Sequence, residues 1–266
     1  MEVLDMLGYM AAALIGLSLG LIGGGGSILT VPVLVYLFNI DAVTATAYSL
    51  FIVGTTSLVG AWPKYQEGLV DIRIALVFGA PSMVAVYFTR AWLVPLIPDP
   101  VFGALGFDLS KRLLLMGLFA ALMVFASISM IRSKKPVTNP SLTGGFRWGL
   151  ILLEGVVVGA LTGLVGAGGG FLIIPALVLF TGIPMKKAVG TSLVIIATKS
   201  LIGFTGDLSR LEPDWTLLGL VTFIAILGIL AGNVLARKID GQKLKKGFGW
   251  FVLVMGIYIL LKESLG

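Results

Sequence analysis

The chain contains no cysteine and no histidine among its 266 residues. Without cysteine there is no disulfide framework, no thiolate metal site and no thiol nucleophile. Without histidine the commonest metal ligand and the usual proton shuttle near neutral pH are missing. Charge is also scarce: Asp, Glu, Lys and Arg make up 12% of the chain, against about 25% in soluble globular domains. With 58% hydrophobic residues and a mean hydropathy of +1.06, the chain must set most of its surface in lipid. The run Gly23–Ser27, GGGGS, lacks the Gly-Lys-Ser/Thr ending of a phosphate-binding loop, which argues against an ATP-driven pump. No pair of carboxylates sits at depth in an acid–base spacing. The expectation is therefore a non-enzyme with neither metal nor cofactor. The start lacks the basic region and small-residue cleavage site of a signal peptide, and its first apolar run reads as a retained membrane segment.

What is present is a series of apolar runs. Ten are marked: residues 6–23, 27–38, 42–62, 72–96 and 111–131, then 146–165, 170–181, 186–204, 215–237 and 245–262. Between the two sets lies RSKKPVTNPSLTGG, residues 132–145, whose charge, Pro and Gly read as an exposed cytoplasmic linker. The expected organisation is a first repeat over 1–132, a linker over 133–145 and a second repeat over 146–266. The second and seventh runs are too short for an upright span: about 12 residues reach about 18 Å, against a hydrocarbon core about 30 Å thick. If all ten cross, 13 of the 19 basic residues fall on one side, from Lys64 and Arg73 to Lys245 and Lys246. Arg90, Lys111, Arg112, Arg210 and Lys262 fall on the other. The positive-inside rule makes the richer side cytoplasmic and puts both termini outside. The net charge of +6 is thereby a property of loops and not a nucleic-acid face. If the short runs re-enter instead, each half has four spans and the basic loops spread badly, so five plus five is the expectation.

The two halves share a sequence. Gly20–Ala61, shifted by 143 positions, lies without a gap on Gly163–Phe204, with 18 identities in 42 positions. Composition alone gives roughly a tenth. An odd number of spans per copy places the second copy upside down, so the fold expected is an all-α polytopic membrane protein of two inverted five-segment repeats. Broken segments at matching places in such repeats point to transporters.

Several residues carry the expected chemistry. Gly23, Gly24, Gly25 and Gly26 with Ser27, and Gly166, Gly168, Gly169 and Gly170, form two hinges, each followed by a proline, Pro32 or Pro175. Glycines of this kind serve either an anion site at a helix start or close helix packing. A paired stripe follows: Ser49 matches Ser192, Thr55 matches Thr198 and Ser57 matches Ser200. Its hydroxyls either bond their own helix backbone or meet oxyanion atoms. Lys199, between Thr198 and Ser200, is neutral Thr56 in the first copy. A lysine at that depth costs at least about 2.5–3.5 kcal/mol, so it either faces a cavity or anion or snorkels to the interface. Glu154 is the other charge inside a run, as a proton carrier or an interfacial carboxylate. Asn233 and Tyr48 are weaker candidates.

GLIGGGGSILTVPVL and GLVGAGGGFLIIPAL, each followed by an Ala-(x)3-Ser-Leu stretch (Ala45–Leu50 and Ala188–Leu193), resemble the TauE/SafE sulfite exporter family over both halves. The resemblance implies an integral prokaryotic cell-membrane protein that exports sulfur-containing anions such as sulfite or organosulfonates. It carries over to the two glycine–proline motifs, with Ala167 standing where the first copy has Gly24. Beside a secondary carrier working by alternating access, a passive anion channel, a membrane-embedded enzyme and a scaffold subunit remain open at this point. The partners expected are the small anion and the bilayer, and the sequence gives no indication of an oligomer.

Overall fold

The computed structural model describes residues 2–104, 107–132, 144–236 and 241–265. Among them the chain is helical: α1 (Glu2–Ile22), α2 (Thr30–Tyr36), α3 (Ala42–Gln66), α4 (Ile72–Phe88), α5 (Val94–Leu96), α6 (Lys111–Arg132), α7 (Gly144–Val165), α8 (Gly170–Ala176), α9 (Met185–Thr205), α10 (Trp215–Ala236) and α11 (Gly241–Leu265). Most of the predicted linker, residues 133–143, lies outside the described residues, and α7 starts two residues before the predicted second repeat. A feature absent from the expected all-α fold is a small antiparallel hairpin, β1 (Phe102–Ala104) with β2 (Phe107–Leu109), Phe102 opposite Leu109.

The helices begin where the chemistry of their ends allows. The Asp41 carboxylate accepts from the amides of Val43 and Thr44 at the start of α3. Asp71 accepts from Ile74 at α4, and Asp214 accepts from Thr216 and Leu217 at α10. Each satisfies donors that the first turn leaves free and places a negative charge at the positive helix end. Among the described residues five helical stretches are long and apolar enough to cross a membrane: Ala42–Gln66, Ile72–Leu96, Lys111–Ile128, Met185–Thr205 and Trp215–Ala236. Shorter apolar helices cover Met6–Ile22, Gly26–Tyr36 and Gly149–Val165. Large apolar side chains such as Leu76, Leu153, Phe223 and Val254 face outward, as a lipid-facing surface requires.

α3 and α9 form the centre. Within them 67% and 72% of the spanning stretch is buried, against 39% in Ile72–Leu96 and 44% in α10. Leu50 meets Gly203, Gly54 meets Leu201 and Lys64 meets Gly190, so the two run antiparallel. α6 and α11 are also antiparallel, with Met123 beside Gly256 and Arg112 at 3.1 Å from Glu263. α1 runs parallel to α10 (Ala13 at Gly228, Gly20 at Gly232), and α4 runs parallel to α7 (Phe78 at Gly155, Ser82 at Gly159). Small residues bring these backbones into contact, the usual way helices associate in lipid. The contacts repeat with the 143-residue shift. Gly16 meets Ala225 as Gly159 meets Ser82, and Gly20 meets the Ile229 carbonyl as Gly163 meets that of Val86.

Candidate functional site

The glycine clusters bend the chain and meet each other. Gly23 and Gly166, equivalent under the shift, take φ of 73° and 74°, a region open to glycine and strained for a residue with a Cβ. Gly168 and Gly169 are also left-handed. Gly24 and Gly170 touch backbone to backbone, so a side chain on either would collide with the other. Each hinge rests on the other half: Gly166 lies against Thr46 of α3, and Gly23 against Val189 and Ser192 of α9.

The segments that follow are unlike in detail. In the first copy Gly24–Leu29, which includes Gly25 and Gly26, forms a 3₁₀ turn, and the Ser27 hydroxyl donates to the Gly24 carbonyl. The regular helix begins only at Thr30, so Pro32 falls in its first turn, where a missing N–H costs nothing. In the second copy the helix begins at Gly170, Pro175 lies inside it, and a π turn follows at Leu177–Thr181.

Beside the second hinge sits the buried cation. Lys199 is 0% exposed, and its Nζ donates to the Thr162 hydroxyl at 2.9 Å. Thr162 in turn donates to the Gly159 carbonyl, which leaves its oxygen free to accept from the lysine. The lysine does not snorkel. A Cβ on Gly169 would stand 2.9 Å from Nζ and collide with Thr162, so glycine there makes room for the ammonium. Among the described residues no carboxylate forms an ion pair with Lys199. When protonated, a buried lysine with one neutral partner has spent one of its three donors, and its charge has no carboxylate beside it among the described residues. Position 162 corresponds to Leu19 in the first copy, as Lys199 corresponds to Thr56, so this polar pair exists in one half only.

The hydroxyl stripe divides. Ser192 donates to Val189 and Thr198 to Val194 and Ile195, all on their own helix. Those two take the backbone-bonding alternative. Ser49, Thr56, Ser57 and Ser200 are buried with unpaired hydroxyls, and Thr55 is half-buried. The Ser200 hydroxyl lies 3.5 Å from a Cβ built at Gly168, which places it at the hinge. Asn233 donates to the Gly60 carbonyl, Tyr48 accepts from the Asp214 amide, and Glu154 is half-buried on α7. An apolar cleft of about 250 Å³ lies between α1, α2 and α11, with Leu29, Pro32 and Tyr36 among its lining residues.

Two residues of interest were not singled out in the sequence. Thr162 gives no signal, because one threonine in an apolar helix is unremarkable. Arg90 counts among the loop charges in the sequence, although it lies within the run 72–96. It is 0% exposed, on a π turn, Thr89–Leu93, between α4 and α5, with its Nη1 3.5 Å from Asp207. Burial pushes the Asp207 carboxyl up from its ordinary value, and Arg90 and Arg210 oppose that rise.

Comparison with known proteins bears on what such a site serves. The family model described as "Sulfite exporter TauE/SafE" matches residues 9–259. A "Probable membrane transporter protein" of Xylella fastidiosa (strain 9a5c) is 29% identical over 95% of this chain and 94% of its own. The "Probable membrane transporter protein YdhB" of Bacillus subtilis (strain 168) is 28% identical over 96% and 100%. The "Probable membrane transporter protein MJ0441" of Methanocaldococcus jannaschii is 26% identical over 93% and 92%. No solved structure matches the chain.

Proposed function

The chain belongs to the sulfite exporter TauE/SafE family, and from that premise we propose that it is a secondary carrier exporting small sulfur oxyanions or organosulfonates by alternating access. The observation that carries this reading is Lys199, fully buried beside the hinge, hydrogen-bonded to Thr162 and without a counter-ion among the described residues. A positive charge held at such a cost is offset when an anion binds. The unpaired hydroxyls of Ser57 and Ser200 are further donors for its oxygens. The family and the names of the relatives indicate a transporter rather than an enzyme.

The helix directions support the inverted arrangement. Five crossings per copy make equivalent helices antiparallel, as α3 and α9 are, and as α6 and α11 are. Re-entrant short segments would leave four crossings per copy and make those same pairs parallel. In the closed contact of Gly24 with Gly170 the hinges leave no room between their backbones. An anion reaches Lys199 when the hairpins part on one side and leaves when they part on the other. With the basic loops inside, an inside-negative potential favours export by about 2.3 kcal/mol per charge per 100 mV.

The test uses purified protein in liposomes and a panel of sulfite, thiosulfate, sulfate, sulfoacetate and taurine. Saturable flux of one or more of the anions, accelerated by the same anion on the far side, is expected. Ohmic single-channel currents would replace the carrier with a channel, and absence of binding to every member would remove the substrate class.

A further inference from the structure

A second buried cation lies two helical turns from the first. Arg90 packs where α9 ends: the Cβ of Arg90 is 3.1 Å from one built on Gly206, seven residues or about 10 Å along α9 from Lys199. The two sites are also joined through α7. Thr162 holds Lys199, and the next residue, Gly163, packs on Thr89, the neighbour of Arg90.

Arg90 is held in an unusual way. Among the described residues its single charged partner, Asp207, stands 3.5 Å away, and none of its three guanidinium nitrogens makes a hydrogen bond. An arginine buried for structure normally closes a fork of short bonds, about 2.7–2.9 Å, on its carboxylate. Here five N–H donors remain unspent. Packing does not demand the charge either. Under the 143-residue shift Arg90 corresponds to Asn233, which fills the equivalent niche on α10 with a neutral amide bonded to Gly60. The second copy has a regular helix there, whereas the first breaks into the π turn Thr89–Leu93, a device common at functional sites. Beyond Arg90, the exposed Arg210 donates to the Ala91 carbonyl at 2.8 Å. Lys199 and Arg90, both fully buried, and the exposed Arg210 are thus three cations on neighbouring stretches of packed chain.

We propose that Arg90 is a second anion station between Lys199 and the surface, and that Asp207 is a built-in carboxylate that a passing sulfur oxyanion displaces from it. The proposal rests on the carrier reading above. An oxyanion offers several acceptors to the arginine fork where Asp207 offers one distant oxygen. When the anion moves on, the carboxylate returns and keeps the buried charge from standing alone.

Labelled sulfite flux and sulfite binding are measured in liposomes for wild type, Arg90→Gln, Arg90→Lys, Asp207→Asn and the double variant Arg90→Gln/Asp207→Asn. Loss of charge-assisted hydrogen bonds is expected to slow flux about tenfold in Arg90→Gln, with Arg90→Lys partly restored. The double variant, with both charges gone and no lone carboxylate, is expected to stay slow. Asp207→Asn is expected to bind sulfite about threefold more tightly, because the competitor is removed. A double variant as fast as wild type would show a merely structural pair and overturn the station. So would unchanged or weaker binding in Asp207→Asn, a result that stands even if the Arg90 variants fail to fold. Failure of the wild type itself to bind or move sulfite would instead count against the carrier reading for this anion.

Discussion

Replace Lys199 with Met, which keeps much of its length and carries no charge, and two effects of opposite sign follow. The ammonium is wholly buried with Thr162 as its hydrogen-bond partner. Removing it relieves at least about 2.5–3.5 kcal/mol of membrane burial cost, while Thr162 keeps its bond to Gly159. The folded protein is thus expected to gain stability or hold it. For an anion about 4 Å from the ammonium, with an effective dielectric constant near 20, the lost attraction is about 4 kcal/mol. That corresponds to a roughly thousandfold weaker complex, reduced in practice by whatever the hydroxyls supply. The pair of measurements is thermal unfolding in detergent and uptake of labelled sulfite by liposomes. Higher or equal thermal stability together with flux down by about a hundredfold or more is expected. Flux near the wild-type value in a folded Lys199→Met protein would refute the reasoning, and lower stability with unchanged binding would make the lysine a structural element.

Thr162→Val removes the acceptor that positions Lys199 and is expected to cut sulfite affinity about tenfold, with Thr162→Ser close to wild type in the same binding assay. Gly169→Ala forces a Cβ onto Nζ and Thr162 at φ +67°; it is expected to cost about 1–2 kcal/mol from the backbone alone and to abolish transport, read by unfolding and flux together. The topology is tested with impermeant maleimide on the cysteine-free chain. Lys186→Cys and Lys262→Cys, both exposed, are expected to label only from the inside and only from the outside, respectively; labelling of both from one side would overturn the orientation.

Charge and repetition were the most legible signals. Lys199 could be picked out because an ammonium in an apolar run is expensive wherever the helix goes. The hinges could be picked out because the glycines recur at one fixed spacing. That the hinges touch, and that each leans on the opposite half, depends on contacts such as Gly24 with Gly170 and Gly166 with Thr46, which no local pattern encodes. The hydroxyls show the same boundary. Ser192 and Ser49 are the same residue in equivalent places, yet one bonds its own helix and the other is left unpaired. Arg90 is hidden because a charge near the end of an apolar run reads as a loop, whereas the chain continues through a π turn that buries it. The 3₁₀ turn at Gly24–Leu29 was likewise hidden, since four glycines are compatible with many backbones.

Lys199 and Thr162 have Thr56 and Leu19 as their counterparts, so a frame with two matching halves carries its strongest attraction off-centre. A guest resting there would lie unequally far from the two mouths, and the climb out would differ for each. The two hinges meet at one backbone contact, while the lopsided well sets which departure is slow. A carrier built this way acquires unequal exit rates at its two mouths from one substituted pair, while the net direction stays with the gradient and the membrane potential.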